Sequence, residues 1–146
     1  MRKSCLAAHV LAATLAAGII PTAAADQSYR IIVNPSVKGS QIPRTTLNSI
    51  FLKQAPRWAD GSPVQPVDQS FRSHVRQSFA ADVHQRPLME LQIFWTRRMA
   101  DGVTPPPVKQ SDDEIVAYVA RTPGAIGYVS SATPLPDTVR AVAIIE

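Results

Sequence analysis

The N-terminal segment most constrains what this chain can fold into, because its composition sets it apart from the rest. A basic pair, Arg2 and Lys3, precedes an apolar run over residues 6–20, and small residues follow at 21–25. This order is typical of a secretory signal peptide and its cleavage site. The run is shorter than the roughly 20 residues that a membrane-spanning helix needs. We therefore predict a signal peptide over residues 1–25 and no stable membrane insertion after its cleavage.

The remaining sequence, residues 26–146, has the length of one compact domain rather than two. The single cysteine of the chain, Cys5, lies inside the predicted signal peptide. Disulfide bonds therefore cannot stabilise the exported domain, and its stability must come from an apolar core and backbone hydrogen bonds.

The charge of the predicted mature domain excludes one class of partner. Without Arg2 and Lys3 the chain carries 13 basic and 11 acidic side chains. Apart from Arg97 and Arg98, the basic residues are scattered, and no basic stretch carries interleaved aromatic residues. We expect no nucleic-acid binding.

The apolar pattern predicts an α/β fold with a mixed sheet flanked by helices. Residues 29–33 form a β-branched run that ends at a turn, and Leu47, Ile50 and Phe51 share one face of a short helix that begins at Pro43. Residues 64–67 fit an edge strand because Pro66 cannot donate to a ladder. The whole order is strand, helix, strand, three helices and two strands.

The three central helices differ in how clearly they are marked. Phe71, Val75 and Phe79 predict one buried face over residues 71–80. The next helix opens at residues 86–87, and its predicted buried face carries these residues: Leu88, Leu91, Trp95 and Met99. The spacing of Ser111 and Glu114 predicts a capping box at the start of the third helix. The last two strands are predicted at residues 125–129 and 139–145.

No catalytic, metal or cofactor site is indicated by the sequence. The chain has no Gly-x-Ser-x-Gly elbow, no His-Glu-x-x-His motif and no phosphate-cradling glycine loop. The two histidines of the mature domain, His74 and His84, are ten residues apart and are interpreted as residues on or near a helix. We predict that the protein is not an enzyme.

Two segments about sixty residues apart resemble a known family. They are residues 50–61 (IFLKQAPRWADG) and residues 121–129 (RTPGAIGYV). In this order they are similar to segments in the second lobe of the phosphate-type periplasmic solute-binding proteins. The resemblance implies a stand-alone single lobe of a periplasmic-binding-protein-like fold, located in the periplasm and related to phosphate transport through ABC transporters.

The resemblance also implies an oxyanion site at Asp68, Ser70, Phe71 and Arg72. The family has Asp-Gly-Ser-Gly-Thr at this junction between a strand and a helix, where backbone N–H groups can hold an anion. Asp68 and Ser70 match, whereas Phe71 replaces a glycine and Arg72 replaces the threonine. Pro66 stands where the family has an arginine, and Arg72 is the candidate replacement. In the alternative interpretation Ser70 is only the N-cap of the following helix and Phe71 is a core residue.

Two functional hypotheses remain open at this point. In the first, the chain is an exported non-catalytic solute-binding-like domain that binds phosphate or another oxyanion weakly, with the site completed by a homodimer or a partner protein. In the second, it is a periplasmic interaction or sensory module that kept the fold and lost the ligand, and its partner is a protein of the envelope.

Overall fold

The computed structural model describes residues 27–146 of the chain. The predicted signal peptide lies outside the described residues. Within the part that is described, no helix is long and apolar enough to cross a membrane.

The elements of residues 27–146 follow the predicted order, with three further short strands. They are β1 (Tyr29–Val33), β2 (Gln41–Pro43), α1 (Arg44–Phe51), β3 (Gln65–Pro66), β4 (Asp68–Gln69), α2 (His74–Phe79), a π-helical segment (Ala80–His84), α3 (Leu88–Ala100), β5 (Val108–Lys109), α4 (Asp112–Arg121), β6 (Ala125–Ser130) and β7 (Arg140–Ile145).

The main sheet has five strands in the order β2-β7-β1-β6-β3. β1 pairs antiparallel with both β6 and β7, whereas β2 runs parallel to β7 and β3 parallel to β6. The mixed sheet of an α/β fold is therefore confirmed. The strand around Pro66 lies at one edge, as predicted, and the opposite edge strand ends in Pro43.

The side chains of β1 point alternately to the two faces of the sheet, and the core therefore has two layers. Ile31 and Val33 belong to the cluster that includes residues of α1 and α2, while Ile32 belongs to the cluster that includes residues of α4. Gly127 of β6 lets α4 approach closely, because a Cβ at this position would lie 2.9 Å from the side chain of Ile115. The sheet is thus covered by helices on both faces.

The predicted starts of α1 and α4 are confirmed. α1 follows Pro43 and buries the three apolar residues of its predicted face, Leu47, Ile50 and Phe51. At the start of α4 the hydroxyl of Ser111 accepts a hydrogen bond from the N–H of Glu114 at 3.2 Å. The Glu114 carboxylate reaches back one residue further than the capping box requires, to the N–H of Gln110 at 2.9 Å.

The start of α2 lies three residues later than the sequence analysis predicted for the helix over residues 71–80. The helix begins at His74, and its N-cap is Ser73 rather than Ser70. The cause is the short parallel pairing of β4 with β5, in which the N–H of Ser70 donates to the carbonyl of Lys109 at 2.9 Å and keeps the chain extended. Phe71 therefore lies in the turn before the helix, 40% exposed, and is not a core residue.

α3 buries only part of its predicted face. Leu91 packs with Leu52 and Ala80 at the end of α1 and the start of the π-helical segment, and Trp95 is also buried. Met99, in contrast, is 52% exposed. The prediction for Met99 was wrong because the apolar contacts of α3 lie along its first two turns.

Among the glycines, Gly124 is the position where an added side chain should most lower the free energy of unfolding. Its φ is +75°, and an added Cβ would lie 2.3 Å from the carbonyl oxygen of Pro63. The matched control is Gly102, whose φ is +81° but whose Cβ would meet nothing within 4 Å. We expect Gly102→Ala to lower the free energy of unfolding by about 1–2 kcal/mol and Gly124→Ala to lower it by about 2 kcal/mol more, measured by urea denaturation. Equal losses would contradict this account.

His84 should make the fold sensitive to acid. Its Nδ1 atom lies 2.7 Å from the side-chain oxygen of Asn48, and burial, aided by Arg76 and Arg86, lowers the pKa of the imidazole to about 4 from 6.5. Between these values the unfolded chain binds the proton and the folded chain does not, so the free energy of unfolding falls as the pH drops from about 6.5 to about 4.

The expected loss from His84 is at most about 3 kcal/mol over that range. His84→Gln removes this contribution and should flatten the pH dependence of urea denaturation. The control is His74→Gln, which makes the same substitution at an exposed position. The account fails if both variants show the same slope.

Candidate functional site

The two segments that carry the family resemblance meet in the structure. The indole N–H of Trp58 donates to the carbonyl of Gly124 at 3.0 Å, and the N–H of Gln65 donates to the same carbonyl at 3.0 Å. The N–H of Gly124 in turn donates to the hydroxyl of Ser36 at 2.9 Å. These bonds fix the start of β6 against β3, and so position the strand that lies beside the predicted anion junction.

Asp68 lies at that junction, and its carboxylate is already occupied. One oxygen forms a salt bridge with Arg76 of α2 at 3.0 Å. The other accepts hydrogen bonds from the N–H of Gln69 at 2.9 Å and from the hydroxyl of Tyr128. Asp68 and Arg76 are each only 8% exposed, so the pair is an internal one.

Arg76 is the functional residue that the sequence analysis missed. Its guanidinium also donates to the carbonyl of Gln69 and lies 5.3 Å from the centre of the Phe71 ring. A signal was available, because Arg76 precedes the buried Phe79 by three residues and so shares its helix face. A charge on a buried face requires a partner, and Asp68 is the preceding acidic residue in the chain.

Gln69 fills the space beside this ion pair. Its amide nitrogen donates to Asp112 of α4 at 2.8 Å and to the carbonyl of Tyr128 at 2.9 Å, while its oxygen accepts from Ser73 at 2.6 Å. All polar atoms of the side chain are therefore used within the domain. Gln69 links β4, β6 and the starts of two helices.

Burial dominates the electrostatics of the junction. It raises the pKa of the Asp68 carboxyl, while Arg76 and the hydrogen bonds from Tyr128 and Gln69 oppose that rise. Burial and the neighbouring carboxylate raise the pKa of the Tyr128 hydroxyl well above its ordinary value. The arrangement keeps a proton on Tyr128 and directs that hydroxyl at Asp68, while Arg76 opposes the effect of burial on the carboxyl.

The other three predicted site residues lie in the turn between β4 and α2. The hydroxyl of Ser70 accepts from the N–H of Arg72 at 3.4 Å, and both Phe71 and Arg72 are exposed. Arg72 forms no salt bridge with any residue in 27–146. Arg76, and not Arg72, therefore supplies the cation for Asp68. Within residues 27–146, no group of three or more potential metal ligands occurs.

Solved structures of phosphate-binding proteins share this fold. An ABC-type phosphate transport receptor from Vibrio cholerae matches with a TM-score of 0.62 and 18% sequence identity, over 80% of this chain and 46% of that one. A structure from Clostridium perfringens, assigned to the phosphate ABC transporter substrate-binding proteins and containing bound phosphate, gives 0.63 and 18%, over 80% and 44%. The fold is one lobe of a periplasmic-binding-protein-like architecture.

PstS from Borrelia burgdorferi matches the lobe less closely, with a TM-score of 0.53 at 14% identity over 80% of this chain and 47% of that one. The chain thus spans less than half the length of each of these proteins. No protein-family model and no curated protein matches it significantly. The resemblance seen in the two sequence segments is confirmed at the level of the fold.

The buried ion pair should stabilise the lobe far more than the exposed arginine does. Arg76→Met leaves the Asp68 carboxylate buried without its counter-ion, and we expect a loss of about 3 kcal/mol in the free energy of unfolding. The matched control, Arg72→Met, should stay within about 0.5 kcal/mol of the wild type. Urea denaturation measures both.

A double variant separates the ion pair from general loss of packing. Asp68→Asn removes the charge that Arg76→Met leaves unpaired, so the double variant should be more stable than the sum of the single effects predicts, by about 0.5–3 kcal/mol. Strict additivity would show that the two side chains do not act as a pair.

Proposed function

We propose that the chain is an exported, non-catalytic solute-binding-like domain of the phosphate-transport type that has lost tight phosphate binding and contacts a protein of the envelope. The observation that carries this proposal is the salt bridge of Asp68 with Arg76 of its own chain. Both oxygens of the Asp68 carboxylate are already bonded inside the domain, and Gln69 fills the adjacent space through its own hydrogen bonds.

The described residues correspond to one lobe, and this bears on the affinity of that lobe by itself. A two-lobed binding protein encloses its ligand between the lobes and so removes it from water. One lobe alone would leave an anion partly hydrated, and each charge-assisted contact would then contribute much less free energy. Tight phosphate binding by one copy of this domain is therefore not expected.

The outer face of α3 supports the contact with a partner protein. Met89 and Ile93, which lie one helical turn apart, are 63% and 48% exposed and form a small apolar surface. The exposed Arg86 and Arg97 border them. We propose that this face meets an apolar surface of the partner that carries acidic side chains.

A weak oxyanion site at the turn is the second candidate. The observation in its favour is that the Ser70 hydroxyl is bonded to the backbone N–H of Arg72, whose side chain is exposed, in a fold that one solved structure shows with bound phosphate. Such a site would consist of Ser70 and Arg72 with the backbone of Phe71. Asp68 would not contact the anion, because its carboxylate is paired with Arg76.

Thermal unfolding of residues 26–146 with phosphate, sulfate or chloride at matched ionic strength separates the two candidates. A ligand at a hundred times its dissociation constant adds about 2.7 kcal/mol, a shift of several degrees for a domain of this size. We expect no phosphate-selective shift at about 1 mM. A selective shift that disappears in the Ser70→Gly/Arg72→Ala variant would instead support the weak oxyanion site.

Photo-cross-linking in intact cells tests the partner. A photoreactive residue at Ile93 should give a discrete adduct that Arg97→Glu abolishes. The same residue at Asp113, an exposed position on α4, is the control and should give none. Adducts at both positions, or at neither, would refute the assignment of α3 as the contact face.

A further inference from the structure

A second concave site lies at the opposite edge of the sheet from Asp68. The cleft has a volume of about 310 Å³ and is bounded by β2, the start of α1, the 37–39 loop and the segment around Trp58. This volume is within the size range of small-molecule sites. It shares no lining residue with the Asp68 junction, and its role does not depend on the function proposed above.

The interior of the cleft is apolar. Its floor and sides include Val33, Val37, Ile42, Ile50 and Val142, which come from five different parts of the fold. Walls of this kind favour a hydrocarbon chain or ring, because its transfer from water contributes about 25 cal/mol for each Å² buried.

Both walls of the cleft are held in place by polar contacts behind them. The guanidinium of Arg140 on β7 donates to the carbonyl of Gly39 at 2.6 Å and to that of Val37, which anchors the loop. On the other side, the indole N–H of Trp58 is bonded to Gly124. The indole therefore offers a ligand its apolar ring rather than a donor, and the cleft is preformed.

Two cations provide the polar character of the cleft. Lys38 and Arg57 are both exposed lining residues, and none of the described lining residues is acidic. The nearby Asp60 carboxylate accepts hydrogen bonds from the backbone N–H of Ser62 at 3.0 Å and from the Ser62 hydroxyl at 2.5 Å, and it also attracts Lys38. An apolar interior with two cations among its lining residues is complementary to a molecule with a short apolar body and one anionic end.

We propose that this cleft binds a small amphiphilic carboxylate. The apolar part lies between the Trp58 ring and the side chains of α1 and β2, and the carboxylate pairs with Lys38 and Arg57. A molecule of hexanoate is a suitable probe, because its chain is short enough for the cleft. Hexan-1-ol and hexylamine present the same chain with a neutral or a positive end.

Tryptophan fluorescence reports on this cleft directly, because Trp58 forms part of its wall and the other tryptophan, Trp95, is buried in α3. We expect hexanoate to change the emission saturably and to bind about tenfold more tightly than hexan-1-ol, with hexylamine weaker still. The Trp95→Phe variant should show the same titration. Calorimetry of the wild-type protein provides a reading that needs no substitution.

Neighbouring threonines of α1 provide a matched pair of variants. Thr46 lines the cleft and Thr45 does not, although both are exposed. Thr46→Phe should fill the cleft and weaken hexanoate binding at least about tenfold, whereas Thr45→Phe should leave it within about twofold. Circular dichroism and urea denaturation establish that both variants are folded.

The charge part of the proposal has its own test. The Lys38→Gln/Arg57→Gln variant should bind hexanoate and hexan-1-ol equally, with the alcohol bound as in the wild type. Three results would overturn the proposal: equal binding of the three probes by the wild type, no saturable binding of hexanoate, or equal effects of the two phenylalanine variants. If the cleft instead accommodates a side chain of a partner protein, hexanoate should show no saturable binding.

Discussion

The Asp68 junction and the cleft beside Trp58 both depend on the backbone of Gly124. Its carbonyl accepts hydrogen bonds from Trp58 and Gln65, and its N–H donates to Ser36. No side chain fits at this point, because the carbonyl of Pro63 occupies the space where a Cβ would lie. The contact holds β6 in register with β3, which places Tyr128 beside Asp68. It also holds the Trp58 ring in the wall of the cleft at the other edge of the sheet.

The Asp68–Arg76 pair neutralises a buried carboxylate within the lobe itself. A buried carboxylate needs a counter-charge, and in an enclosed site a bound ligand and the opposite lobe can contribute to the electrostatic balance. Here the counter-charge comes from α2 of the same domain, and Tyr128 and Gln69 complete the hydrogen bonds. The Asp68 carboxylate therefore has bonding partners whether or not a solute is present. The stability of the fold does not depend on a bound ligand.

Patterns within short stretches of sequence predicted most of the fold, and contacts between distant stretches account for the errors. The apolar run of β1, the cap at Ser111 and the edge position of Pro66 each depend on local residues, and all three are found in the structure. The start of α2 was displaced by a two-residue pairing of β4 with β5, which no local pattern records. At the candidate site, the sequence identified the junction at Asp68 but not its partner Arg76, because the pairing depends on how α2 packs against β4 and β6.

Proline at both edges of the sheet limits how this domain can associate. β2 has three residues and ends in Pro43, and β3 has two residues and ends in Pro66. Neither edge offers a continuous row of N–H donors to an incoming strand. Two copies cannot readily join their sheets into one, and a peptide cannot readily extend the sheet by β-augmentation. Contacts of this lobe with other molecules are therefore expected through its helices and loops, and the two edges of the main sheet disfavour strand-mediated aggregation.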